Sequence, residues 1–249
     1  MFVRKPSAAI ARGILCAVAA LSIAACSSAP NPSTQPGVHD PFEAQNRKVH
    51  AFNKSLAGKG KGGGLARAVP EEFQHVIHNV AENLSLPQAA VNALLQGNLR
   101  GTGLATYRFA VNTVVGIGGI ADVASEFGVP EYETDFGETL HVWGVGEGAY
   151  LELPFFGPST QRDTAGRVVD LFTNPLSYRL DSPEKYVGTV TGLTDKALKN
   201  SRRGPAIRQV LNNSADSYAQ ARLIYLQKRR HELQRGEDRV MTYDDPYAE

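Results

Sequence analysis

Apolar positions recur at helical spacing along most of this chain, and glycine rather than alternation interrupts them. Phe42, Val49 and Phe52 give one stripe, with Asn46 and Asn53 beside it. Asp40 and Pro41 suit its N-cap and first turn. The five glycines between Leu56 and Leu65 predict a loop after it. Glu71 to Leu84 predicts a second helix, with Phe73, Val76, Ile77, Val80 and Leu84 on one face. Pro87 starts a third, carrying Val91, Leu94 and Leu95 to a stop at Gly97. Leu104 to Val115 predicts a fourth, which Gly116, Gly118 and Gly119 end or bend. Thr164 to Phe172 and Pro183 to Leu198 are short helical candidates, with turns at Asn174-Pro175 and Asp181-Ser182-Pro183. Arg208 to Leu211 suits part of another. Ser214 to Arg235 predicts the last helix, with Asp216 in its first turn, cations in its last turns and Gly236 as a stop. Val142 to Leu153 suits a short hairpin around Gly144 to Gly148. There is no internal repeat and no run of alternating strands. The class is mainly α.

Arg108 to Asp163 is the most apolar, glycine-rich and aromatic stretch outside the N-terminus. Its first part, Phe109 to Ala121, is thirteen residues without a charge. As a helix that length covers roughly 20 Å, short of the ~30 Å hydrocarbon core of a bilayer. Such a segment can dip into one leaflet, lie in the interface, or be buried in the domain. Trp143, Tyr150, Phe155 and Phe156 suit the interfacial zone.

Composition places the chain among globular proteins. It has 249 residues, 42% hydrophobic and 20% charged, enough for one domain of about 200 residues. The N-terminus reads as a targeting segment. Arg4, Lys5 and Arg12 form a positive region, and Gly13 to Ala25 an apolar one. The run Ile23-Ala24-Ala25-Cys26 resembles the lipobox of bacterial lipoproteins. Cys26 is then the lipidated first residue of the mature chain, anchored by more than one acyl chain. Cys16 lies in the removed segment, so no disulfide is expected. Ser27 after the cysteine directs such a protein to the outer membrane. The expected organisation is a signal peptide at 1–25, a flexible tether at 26–39, a helical domain at 40–235 and a mobile charged tail at 236–249. Of the 26 basic residues, three lie in the signal segment. The remaining 23 face 25 acidic residues, near −2. No basic face suggests nucleic acid.

Little in the chain points to bond-making chemistry. Gly116-Ile117-Gly118-Gly119-Ile120-Ala121 matches a dinucleotide-binding fingerprint, but no series of strand-helix units surrounds it, so close packing or bending explains it better. His75 and His78, with Glu71 and Glu72 nearby, fit the polar side of an amphipathic helix better than a metal site. His141, alone near Trp143, suits a hydrogen-bonded interface position. Ser159 lacks a nucleophile elbow and an adjacent base, and Arg162-Asp163 beside it reads as a structural pair. Lys228, Arg229 and Arg230 suit either a polybasic membrane contact or the solvated face of the last helix. No catalytic set, cofactor or metal is expected.

The residues resemble the MlaA (VacJ) family of outer-membrane lipoproteins over about Asp40 to Arg230. The match begins with Asp40-Pro41-Phe42-Glu43, Asn46-Arg47 and Phe52-Asn53. It continues through Asn79, Asn83-Leu84, Pro87, Val91-Asn92 and Leu95-Gln96-Gly97, then Arg108-Phe109, Asn112-Thr113, Gly116, Gly118-Gly119 and Asp122. The longest run is Phe136-Gly137, Thr139-Leu140, Trp143 to Gly146, Gly148 and Tyr150, then Leu153-Pro154, Gly157-Pro158-Ser159 and Arg162-Asp163. Asp216, Tyr218, Arg222, Tyr225 and Gln227 follow.

The resemblance implies a ring-like helical domain with a short hairpin, embedded in the inner leaflet of the outer membrane. An amphipathic channel beside a mobile hairpin would carry phospholipid from the outer leaflet to a soluble periplasmic carrier protein, with a trimeric porin as partner. It makes Asn112, Gly116, Gly118, Gly119, Asp122, Phe136, Gly137, Leu140, Trp143, Gly144, Gly146, Gly148 and Tyr150 candidates for the hairpin and channel. The family's Leu-Asp and Pro-x-Ala-x-x-Tyr segment is absent; Gly58 to Gly64 stands there instead. The competing expectations are an anchored structural protein that holds an envelope complex at the membrane, and an envelope hydrolase.

Overall fold

The computed structural model describes residues 38–59, 69–176, 181, 187–188, 190–195, 197–199 and 213–241. The expected signal peptide, Cys26, nearly all of the tether, the remainder of the glycine-rich loop, Arg208 to Leu211 and the end of the expected tail lie outside the described residues. The chain divides after Pro41, and every element below lies beyond that point.

Helix α1 spans Glu43–Lys59, α2 Glu71–Leu95, α3 Leu99–Val114, α4 Val123–Glu126 and α5 Phe136–Val142. Strands β1 (Tyr150–Leu153) and β2 (Gly157–Thr160) form an antiparallel hairpin, with Tyr150 opposite Thr160 and Leu153 opposite Gly157. Helix α6 spans Gln161–Thr173 and α7 Ser217–Met241. The mainly helical class agrees with the sequence expectation. No helix among the described residues is long and apolar enough to cross a membrane.

Short polar side chains start these helices by accepting from otherwise unpaired backbone N–H groups. Asn98 Oδ1 accepts from Gly101 N at 2.8 Å, Asp135 Oδ1 from Glu138 N at 2.8 Å, and Thr160 Oγ1 from Asp163 N at 3.1 Å. Asp216 precedes α7 rather than sitting in its first turn, and accepts from Tyr218 N and Ala219 N. Glycine in the left-handed region ends several of them. After α2, Gly97 N bonds to Leu94 O and Asn98 N to Ala93 O. After α5, Gly144 N bonds to His141 O and Val145 N to Leu140 O. Both are Schellman closures, with Gly97 at φ 74° and Gly144 at φ 83°.

The structure corrects several expected boundaries. Helix α2 runs unbroken through Pro87. A mid-helix proline costs about 3 kcal/mol, and packing against α3 outweighs it. Ala89, Ala93 and Ala105 are almost fully buried there with Leu86 and Tyr132, and small side chains let the two helices approach closely. Helix α1 continues to Lys59, because one glycine in a helix costs only about 1 kcal/mol. Helix α3 begins at Leu99, five positions before the expected Leu104. The hairpin is not centred on Gly144 to Gly148, where Gly144 closes α5. It turns instead at Pro154-Phe155-Phe156, with Phe155 at φ 66°. Gly236 does not stop α7, which continues to Met241. It serves close approach instead, since a Cβ there would collide with the Glu138 carboxylate.

Candidate functional site

The helices turn their polar stripes inward and many of their large apolar side chains outward. Among the described residues, 19 polar or charged residues are buried against 14 hydrophobic ones, several of the latter alanine. In α1, Asn46 and His50 are buried while Phe52, like Phe42 just before the helix, is exposed. In α2, Gln88, Asn92 and Gln96 face inward while Phe73, Leu94 and Leu95 face outward. On α1 and α2 the expected apolar faces are therefore not the core faces, whereas Leu104 and Phe109 of α3 do pack against the core. A protein surrounded by water hides such side chains, because burial returns about 25 cal/mol per Å² of apolar surface. Contiguous exposed apolar surface marks contact with a membrane or a partner.

The inward polar groups are bonded to each other. Gln88 Nε2 donates to Asp170 Oδ1 and Thr173 Oγ1, both at 2.9 Å, and Asn92 Nδ2 to Asp170 Oδ1 at 3.1 Å. Gln96 Nε2 reaches Thr134 Oγ1 and Thr139 Oγ1 on the other side. Asp170 Oδ2 accepts from Phe136 N at 3.0 Å. Burial pushes the Asp170 carboxyl above its ordinary value despite these donors. Amides spaced four apart on α2 thus tie it to α5 and α6. Four-residue spacing of amides is a sequence signal for this row, but the apolar stripe dominates the periodicity.

Asn112, Gly116, Gly118, Gly119 and Asp122 come together at the turn after α3. Arg108, almost fully buried, donates from Nη2 to both oxygens of Asp122 at 2.9 Å, and from Nη1 to Val129 O at 2.6 Å and Ser125 Oγ at 3.1 Å. Asn112 Nδ2 donates to Asp122 Oδ1 at 2.8 Å, and Asn112 Oδ1 accepts from Ala124 N. Burial opposes ionisation of Asp122, but Ser125, Asn112 and Arg108 outweigh it and hold the carboxyl below its ordinary value. Gly119, at φ 93°, lies against the Asn83 side chain. These contacts clamp the two ends of a turn whose apolar residues point out: Val114 is 80% exposed and Ile117 74%. The glycine pattern is thus a bend with close packing. The small cavity beneath it, lined in part by His78, Glu82, Asn83, Arg108 and Asp122, has a volume of about 70 Å³. That holds one or two waters, not an acyl chain.

Phe136, Gly137, Leu140, Trp143 and Gly144 lie on or just after α5. Trp143 is 53% exposed, stacks edge-on with Phe136 and donates from Nε1 to Leu95 O at 3.0 Å. Gly166 lets α6 touch α5, since a Cβ there would collide with Gly137 N, while a Cβ on Gly137 would crowd Asp163 Oδ1 at 2.9 Å. No atom lies within 4 Å of where a Cβ on Gly146 would stand, whereas Gly148 packs on Gln161. Phe155 and Phe156 are exposed, as an interfacial position requires, but Tyr150 is 1% exposed. Strand alternation turns it inward against Tyr218 and Tyr225, with its hydroxyl on Glu152.

Arg162 and Asp163 are both buried, with Nε 3.6 Å from Oδ1. Asp163 has nearer partners that the sequence did not point to. Tyr225 Oη donates to it at 2.6 Å and Arg229 Nη2 at 3.2 Å, while Arg229 also reaches Asp135 at 2.7 Å. Burial opposes the Asp163 charge, but Arg229, Tyr225 and Arg162 prevail and its carboxyl titrates below the ordinary value. Burial and the Asp163 charge push the Tyr225 hydroxyl up. The three cations of α7 are not one patch. Arg229 is a largely buried ion-pair partner, Arg230 is exposed but holds Glu147 at 2.6 Å, and Lys228 is the most exposed of the three. His141 Nδ1 lies 3.3 Å from Arg162 Nη1.

Asn46 and Asn53, two turns apart on α1, bind the edge of β1. Asn46 donates to Tyr150 O and accepts from Glu152 N. Asn53 donates to Leu153 O and accepts from Phe155 N. A helix thereby closes an edge strand that would otherwise offer free backbone groups.

Comparison with known proteins places this architecture. The family model described as MlaA lipoprotein matches residues 38–232. An uncharacterized protein of Rickettsia prowazekii is 33% identical over 190 residues, 74% of each chain. The intermembrane phospholipid transport system lipoprotein MlaA of Escherichia coli is 31% identical over 222 residues, 86% of each, and its namesake in Haemophilus influenzae 27% over 227 residues, 88% of this chain and 89% of that one. A solved structure, described as the structural basis for maintenance of bacterial outer membrane lipid asymmetry, is 32% identical with a TM-score of 0.62. It covers 76% of this chain and 96% of its own. On the span of the match, the shared helical fold and the motifs that carry both, this chain is a member of the MlaA lipoprotein family.

Proposed function

We propose that this chain is an outer-membrane lipoprotein that takes phospholipids misplaced in the outer leaflet and passes them toward the periplasm, keeping the membrane asymmetric. The inverted burial carries this reading. Exposed Val114, Val115, Ile117, Phe155 and Phe156 suit acyl chains, and a polar interior with only a small apolar core between α2 and α3 keeps the helices together. The relatives' names and the matched structure point the same way. Cys26 supplies the anchor, and the helical unit sits as a ring in the inner leaflet around an amphipathic route. Asn112, Gly116, Gly118, Gly119 and Asp122 form the turn beside that route, and Phe136 to Tyr150 its opposing wall. A trimeric porin holds the unit in place, and a soluble carrier receives the lipid on the periplasmic side. Passage needs no covalent step, so no nucleophile or cofactor is assigned.

The test is surface-exposed phospholipid in strains with and without the gene. Deletion is expected to raise it and to increase detergent sensitivity, with restoration by the intact gene. Unchanged asymmetry in the deletion strain overturns the proposal. A bulky side chain at Gly146, where there is space for one, separates transport from scaffolding. It blocks the route and leaves the protein folded and anchored; full function in that variant favours a purely structural role.

A further inference from the structure

His78, Glu82 and Asp195 converge where α2 meets the helical residues 190–195. His78 Nδ1 lies 3.8 Å from Glu82 Oε1 and 3.3 Å from Asp195 Oδ1. The three ligand atoms all fall within 4.8 Å of one another. Tetrahedral zinc holds nitrogen and oxygen donors at about 2.0–2.2 Å, so neighbouring donors stand roughly 3.3–3.6 Å apart. The His78–Asp195 edge already has that spacing, the His78–Glu82 edge needs a shift of a few tenths of an ångström, and the third edge lies within 4.8 Å.

Two further atoms point to a ligand. His78 Nδ1 is buried beside two carboxylates and hydrogen-bonded to neither. Asn83, 2% exposed, lines the same small cavity as His78 and Glu82, and its buried Oδ1 has no hydrogen-bond partner. Lys199 supplies a positive charge here, with Nζ 3.0 Å from Asp195 Oδ2 and 3.4 Å from Glu82 Oε1. Its side chain is 39% exposed, so it can swing into solvent when another cation arrives.

We propose that His78, Glu82 and Asp195 form a site for a single zinc-class divalent ion, with Lys199 as the displaceable internal cation. An imidazole with two carboxylates selects zinc, nickel or cobalt over calcium or magnesium, which prefer all-oxygen shells. The ion ties α2 to residues 190–195 and stabilises the folded chain by mass action.

The test is zinc chloride titrated into the purified detergent-solubilised chain, read by calorimetry and by thermal unfolding. One zinc per chain is expected, with a rise in Tm. His78→Ala and Asp195→Asn should weaken binding at least thirtyfold and abolish the Tm shift. His75→Ala should change neither. Lys199→Ala should tighten binding several-fold by removing the competitor. Should His78→Ala fold poorly without zinc, His78→Gln keeps the volume and is judged by the same two readouts. Absence of stoichiometric binding, equal binding by the His78 and Asp195 variants, or equal affinity for magnesium overturns the proposal.

Discussion

Removing the Asp163 carboxylate should be among the most damaging single changes in the folded unit. Its side chain is 4% exposed and contacts Tyr225 Oη at 2.6 Å and Arg229 at 3.2 and 3.3 Å. Asp163→Ala leaves Arg229, itself 14% exposed, with only the half-exposed Asp135 as a strong partner. Breaking one side of a buried ion pair costs about 3–5 kcal/mol. The surviving Asp135 contact puts this case near the lower end, and the orphaned Tyr225 hydroxyl adds about 1 kcal/mol. The expected loss is about 3–4 kcal/mol. Tyr225→Phe removes only the hydroxyl and should cost about 1 kcal/mol. Asp163→Asn keeps the shape without the charge and should fall between them. Trp143 is the chain's single tryptophan and lies at the end of α5, which packs on the helix bearing Asp163, so its fluorescence can follow denaturant unfolding in detergent. The Asp163 carboxyl titrates below its unfolded value of 3.8. The unfolded chain therefore binds the proton more readily, so this part of the stability is present above that pH and is lost as pH falls through the folded value. The variants should lack that part of the acid dependence. If Asp163→Ala loses less than Tyr225→Phe, the network does not hold α6 to α7.

Other substitutions probe the remaining features. Gly119→Ala places a Cβ 2.6 Å from Asn83 Cβ at φ 93°, whereas Gly118→Ala meets nothing at φ 73°. The first should cost about 3 kcal/mol and the second about 1 kcal/mol in unfolding free energy. Asp170→Asn should cost about 1 kcal/mol, because Gln88 and Asn92 can flip to accept from its amide but then turn their own buried N–H groups to where no partner stands. Asp170→Ala, which leaves three buried donors unmatched, should lose several kcal/mol by the same denaturant assay. Ile117→Lys on the exposed turn should weaken binding of an anchor-free chain to phospholipid vesicles at least tenfold, as ~1–3 kcal/mol for a charge near the hydrocarbon implies. Unchanged sedimentation with vesicles would show that this turn does not touch lipid.

The chain's own sequence determined the helical class, the starts of α1 and α2 and the bend after α3. These are local matters: a side chain accepts from backbone three residues on, or a glycine takes a left-handed turn. Asp122, Asp135, Thr160 and Asp216 start helices for that reason, and Gly97 and Gly144 end them. Even where local rules misplace an element, the cause is visible. Pro87 signals a boundary, and only the alanine-lined contact between α2 and α3 overrides it. Which face of each helix points inward was decided by the tertiary structure alone. Periodicity shows that Asn46 and Asn53, seven positions apart, share one face and that Phe52 lies on another, but not which face meets protein. Here the asparagines do, because β1 offers unpaired backbone groups about a hundred residues along the chain. The same holds for Arg229 with Asp163 and for Arg108 with Asp122 and Val129. Apolar burial has no preferred partner and can be met by lipid as well as by protein. Buried polar groups need specific partners, and only the folded chain brings those together.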